Sequence, residues 1–131
     1  MLDNVRVNDI SAYLYLRLGE QMPEDAPDEW FIGADPNLPK EHDVLVFINL
    51  TGLLLRRLGE TDDYMAECYD VAKLFSTAVY GNEKTGIRHY FRWLYTMVFG
   101  YENGPRWGEF ISIYGVDEFS DLVVRRFNSP L

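Results

Sequence analysis

Cysteine occurs once in these 131 residues and histidine twice. A lone Cys68 excludes an internal disulfide and a cysteine-built zinc site. With only His42 and His89, no Glu-x-x-His spacing exists for the di-metal sites that helical bundles carry. Neither G-x-x-x-x-G-K-[ST] nor G-x-G-x-x-G is present, so no standard glycine loop cradles a phosphate. Long apolar runs are missing too. The longest, residues 44–55, has 12 residues, contains Asn49 and Thr51, and is too short to span a bilayer. At the N-terminus Asp3, Arg6, Asn8 and Asp9 interrupt any signal-peptide pattern, and a cytoplasmic location is the expectation. Basic residues are scarce: 12 Lys and Arg against 21 Asp and Glu give a net charge of −9, which opposes general affinity for nucleic acid or anionic membrane.

What the chain does have is apolar and aromatic side chains, 47% and 15% of the residues, enough for one folded domain. The periodicity is helical. Ile10, Tyr13, Leu14, Arg17 and Leu18 share a stripe, predicting a helix within residues 1–22 with Asn8 or Asp9 as N-cap. Residues 23–43 hold four of the six prolines, mostly acidic charge and one lysine, and read as a long acidic loop with Trp30, Phe31 and Ile32 as possible anchors. Residues 44–131 read as the helical core. Its first helix, 41–58, is apolar nearly all round, with a buried strand as the alternative. "RLGE" occurs at 17–20 and again at 57–60, but the flanking sequences diverge, so two helix ends explain it better than a repeat.

Thr61 is placed to cap a helix with the stripe Tyr64, Cys68, Val71, Ala72, Phe75, Ala78 and Val79. "NEKTG" makes a turn before a helix carrying Ile87, Tyr90, Phe91, Leu94 and Val98. Pro105 is placed to open the next helix, and Asp117 to cap the last. Glycines 19, 59, 81, 100 and 115 fall at predicted helix ends. The fold class is therefore all-α, a single domain of five or six short helices in a bundle or cage.

Few constellations carry chemistry. Cys68 lies on an apolar stripe and reads as a small core residue. Glu60, Asp63, Glu67 and Asp70 share one helix face that can hold magnesium, as in helical hydrolases, although no second carboxylate pair follows at helical spacing. A solvated acidic face near a helix N-terminus is the simpler reading. The basic residues are unevenly placed. Residues 1–83 carry 6 Lys and Arg with 16 Asp and Glu, a net of −10, and residues 84–131 carry 6 with 5, a net of +1. Lys84, Arg88 and Arg92 advance by four and share a helix face among His89, Trp93 and Tyr95; Arg106, Trp107, Arg125 and Arg126 follow. Arginines among aromatics can hold phosphates and stack on unpaired bases, or else lie along the surface in ordinary ion pairs.

"FGYENGPRWGEF" concentrates three glycines, a proline, an arginine and a tryptophan, and reads locally as a helix–corner–helix. The longer stretch "YFRWLYTMVFGYENGPRWGEFISIYGVDEFSDLV", residues 90–123, resembles the C-terminal region of class I lysyl-tRNA synthetases. The matching positions are Phe91, Leu94, Tyr95, Gly100, Glu102, Gly104, Pro105, Arg106, Gly108, Phe110, Tyr114, Gly115, Val116, Asp117 and Glu118, about a quarter of the chain with its flanks. The resemblance implies an all-helical module that receives the anticodon end of tRNA. The family's ATP- and lysine-binding domain and its two nucleotide-binding motifs are absent, so the chain is not expected to be an enzyme by itself, and no cofactor is expected. The residues that the resemblance and the charge pattern together nominate for RNA are Arg88, Arg92, Arg106, Trp107, Arg125 and Arg126. The alternative is an acidic interaction protein that binds a basic protein partner or mimics nucleic acid.

Overall fold

In the computed structural model, Leu2, residues 5–21 and residues 41–130 are described. Among them the secondary structure is all helix: α1 (Val7–Gln21), α2 (Glu41–Leu58), α3 (Tyr64–Tyr80), α4 (Ile87–Phe99), α5 (Trp107–Tyr114) and α6 (Val116–Asn128). The all-α expectation holds, and the strand alternative for 44–50 gives way to helix. Most of the acidic 23–43 segment lies outside the described residues. Its last three positions are the first turn of α2, where Asp43 is buried.

The helix ends show which sequence signals acted. Asp63, not Thr61, caps α3: its carboxylate accepts the Ala66 N–H at 3.1 Å, and Thr61 Oγ1 accepts the Asp63 N–H at 3.1 Å. Asn8 and Asp9 lie inside α1 rather than at its cap. Asp117 sits in the first turn of α6, two residues past Gly115, which occupies the cap position. Pro105 precedes Arg106, the N-cap of α5, instead of opening that helix. Gly81 and Gly100 end α3 and α4 at φ near +80°, a region closed to most side chains, each donating its N–H four residues back.

Phe47 of α2 anchors the core. Its ring lies 5.4–5.6 Å from those of Tyr90, Trp93 and Phe127 and 6.4 Å from Phe75, so α2, α3, α4 and α6 meet around one side chain. Aromatic pairs at these edge-on and offset distances add about 0.5–1.5 kcal/mol each to the burial of the rings themselves. Thr51 adds the main polar contact there, donating to the Phe47 carbonyl or sharing a 3.0 Å hydrogen bond with the fully buried Tyr90 hydroxyl. Burial drives the Tyr90 phenol far up, so that it stays a neutral hydrogen-bonding group. Cys68 is also fully buried, and desolvation together with the Glu67 carboxylate pushes its thiol up to about 12, as befits a core residue and not a nucleophile.

Candidate nucleic-acid interface

The turn before α4 is built by two side chains. Asn82 Oδ1 accepts the N–H groups of Lys84 (2.9 Å) and Thr85 (2.8 Å), an Asx-type closure that sends Lys84 to the head of the next helix. Ser76, buried in α3, donates to the Asn82 carbonyl at 2.6 Å and accepts from Gly86 N–H at 2.7 Å. The start of α4 is thereby tied to α3.

Arg88 and Arg92, four residues apart in α4, share one face of that helix, whereas Lys84, expected on the same helical line, lies in the turn that precedes α4. All three line a single groove of about 710 Å³. Tyr69 of α3 and Phe91 and Tyr95 of α4 supply aromatic surface to the same groove, and Glu102 closes one end. Tyr69 is half exposed, and its ring meets Phe91 edge-on at 5.3 Å. Three cations against one carboxylate give the lining a net charge of +2, in a protein whose total is −9.

The cations are not equivalent. Lys84 and Arg88 are exposed. Arg92 is 7% exposed, and its guanidinium meets a single Glu102 oxygen through Nη2 at 3.2 Å and Nε at 3.4 Å. Arg92 thus forms a fixed wall of the groove. Beneath it Tyr80 stacks on His89 at 5.3 Å; burial and then the Asp43 carboxylate raise the Tyr80 phenol to about 12, with Arg92 pulling the other way.

Of the other nominated residues, Arg106 and Arg125 are exposed but line no part of this groove. Arg126 is half-buried, and its Nε donates to the Val98 carbonyl at 3.3 Å. Trp107 requires correction as a base-stacking residue. It is 1% exposed and packed against Tyr95 (4.5 Å), Phe99 (5.6 Å) and Phe119 (5.6 Å), so no base reaches its face while the core is intact. His89 and Trp93, expected at the surface between the arginines, are 4% and 5% exposed.

The glycine-rich corner is architectural. Glu102 holds Arg92, and the Tyr95 hydroxyl donates to the Pro105 carbonyl at 2.7 Å. Burial, with the neighbouring Cys68 and Tyr69 behind it, raises the Tyr95 phenol and keeps that donor protonated. A Cβ on Gly104 would come within 3.0–3.2 Å of the Tyr95 and Phe99 rings, so the corner closes tightly only with glycine there.

Tyr69 was missed by sequence reasoning. Its signal is an aromatic lying off the apolar stripe of α3, between Cys68 on that stripe and Asp70 on the polar face. The carboxylates Glu60, Asp63, Glu67 and Asp70 do not converge: among the described residues no group of three or more metal-ligating side chains is close enough to hold an ion. Asp63 is occupied as a helix cap, and Glu67 faces Arg57 at 3.8 Å. Among the described residues no helix is long and apolar enough to cross a membrane.

No family model, curated protein or solved structure matches this chain.

Proposed function

We infer that the chain is a non-catalytic helical module that binds tRNA or a similarly structured RNA, in the manner of the C-terminal region of class I lysyl-tRNA synthetases. The observation that carries this reading is the groove: Lys84, Arg88 and Arg92 line it beside exposed aromatic surface, in a protein whose net charge is −9. The ordered run of motif positions through 90–123 and the all-helical fold support it as well. Phosphates meet Lys84 and Arg88, with Arg106 and Arg125 as outlying contacts. Arg92 and Trp107 shape the surface from below.

The net charge makes the affinity modest and strongly salt-dependent. Titration of the protein into labelled total tRNA at low and physiological salt tests the reading, with Lys84→Gln/Arg88→Gln as the comparison. Saturable binding is expected, and the double variant should flatten the log–log salt slope by about 1.4–1.8, the loss of two phosphate contacts. Absence of binding at low salt refutes it. The exposed carboxylates Glu60, Asp63 and Asp70 would then favour the second reading, an acidic surface for a basic protein partner.

A further inference from the structure

We propose that the groove is a site for one unpaired nucleotide, whose base stacks on Tyr69 and whose 5′-phosphate lies between Lys84 and Arg88. The proposal rests on the RNA-binding reading and specifies its chemistry. The volume, about 710 Å³, falls in the range of small-ligand sites, ample for a nucleoside monophosphate. Tyr69 is 46% exposed and lines the groove, and a T-shaped contact with Phe91, ring centres 5.3 Å apart, fixes its orientation. Bases stack on such faces with little regard to sequence.

Lys84 lines the groove and, among the described residues, has no carboxylate partner. Arg92 is held by Glu102, so the cationic wall is ordered before a ligand arrives. The Glu102 carboxylate occupies the same end of the groove and repels a second phosphate there. One phosphate and one base suit this lining better than a run of backbone, and an unpaired nucleotide suits it better than a duplex, whose bases present no free face.

The experiment uses the full chain, labelled with ¹⁵N, and adds AMP, adenosine, inorganic phosphate or a short single-stranded RNA. AMP should move the amide signals of Tyr69, Lys84 and Arg88, binding more tightly than adenosine or phosphate. Tyr69→Leu should weaken AMP about tenfold and leave phosphate unaffected, and Tyr69→Phe should restore it. Lys84→Gln should weaken AMP and phosphate alike. The amide dispersion of each variant reports that it folds, and Arg88→Gln provides a second phosphate-side test. Equal binding of phosphate and AMP, with no effect of Tyr69→Leu, overturns the base site. RNA binding that depends on Arg106 and Arg125 but not on Tyr69 or Lys84 overturns the site and leaves the RNA reading standing. No binding of AMP or RNA overturns both.

Discussion

Gly86, the N-cap of α4, lies tightly against Ser76 and Tyr80 of α3, and Gly86→Ala measures what that contact is worth. A Cβ there would lie 2.6 Å from Tyr80 Cδ2, 2.7 Å from Ser76 Cα and 3.0 Å from Ser76 Cβ. Carbon atoms rest at about 3.5–4.0 Å, so the start of α4 must retreat by roughly an ångström. Ser76 Cα is backbone and cannot swing aside. The retreat stretches the 2.7 Å Gly86 N–H···Oγ bond to the buried Ser76. Overpacking of this kind costs about 1–3 kcal/mol, and a buried hydrogen bond about 0.5–1.5 kcal/mol, giving an expected loss of about 2–4 kcal/mol. Backbone strain adds nothing, since Gly86 has φ −90° and ψ −5°, open to alanine. Gly59→Ala is the matched control, because a Cβ there would meet the carbonyl of Arg56, three residues back, at 3.5 Å, an ordinary contact. That variant should be neutral or up to about 1 kcal/mol more stable. Urea unfolding of both, with unchanged m-values, gives the comparison. If Gly86→Ala loses less than about 1 kcal/mol, the α3–α4 contact that positions Lys84 is not as tight as the structure has it.

Two further outcomes follow from the core. Trp107→Ala should cost about 3–5 kcal/mol by chemical denaturation, whereas Trp107→Phe should cost less than half as much, because it keeps a ring among Tyr95, Phe99 and Phe119 and, like the alanine, deletes an indole N–H that has no hydrogen-bond partner among the described residues; equal losses would refute the aromatic packing as the source of the stability. Cys68 should resist a thiol reagent at pH 8 until the protein unfolds, and prompt labelling of the native chain would contradict its burial. Its folded value of about 12 exceeds the ordinary thiol value of 9.0, so the native state holds its proton longer than the unfolded chain does. The stability linked to it is therefore complete below pH 9 and lost towards pH 12, at about 1.4 kcal/mol per pH unit, and Tyr80 adds a smaller, solvent-screened loss above pH 10. Thermal unfolding across pH 8–11 should show this decline, and Cys68→Ala should flatten its lower part; a flat profile in the parent protein would refute the linkage.

The helices other than α2 were legible because their apolar residues recur on one face, and because left-handed glycines stop α3 and α4 at positions 81 and 100. Caps were less legible. Thr61, Asp62 and Asp63 all suit a helix start, and the choice of Asp63 depends on where Tyr64 must point to reach the core. The 41–58 segment shows the same limit differently: its all-round apolar character fits strand or buried helix until the partners Phe75, Trp93 and Phe127 are in place around Phe47.

The nominated arginines show where one-dimensional reasoning stops. In sequence Arg88, Arg92, Arg106, Arg125 and Arg126 look alike, each beside aromatics or at a helix end. The fold sorts them by whether an acceptor lies within reach. The last carbonyls of a helix have no partner inside it, and when the helix ends in the core they must recruit donors from elsewhere. The end of α4 does so from both ends of the chain: the Tyr13 hydroxyl adds a second donor, at 3.3 Å, to the Thr96 carbonyl that the Gly100 N–H already meets, Arg126 donates to Val98 at 3.3 Å and Arg17 to Gly100 at 2.7 Å. Their sequence separations, 83, 28 and 83 residues, leave no local trace. Arg92 finds Glu102 only because the glycine corner folds back along α4. A cation that a buried carbonyl or carboxylate already requires serves the fold first, and a phosphate ligand has to compete with that partner. The same criterion leaves Lys84, in the exposed turn ahead of α4, open to a ligand alongside Arg106 and Arg125, and of these three Lys84 alone lines the groove.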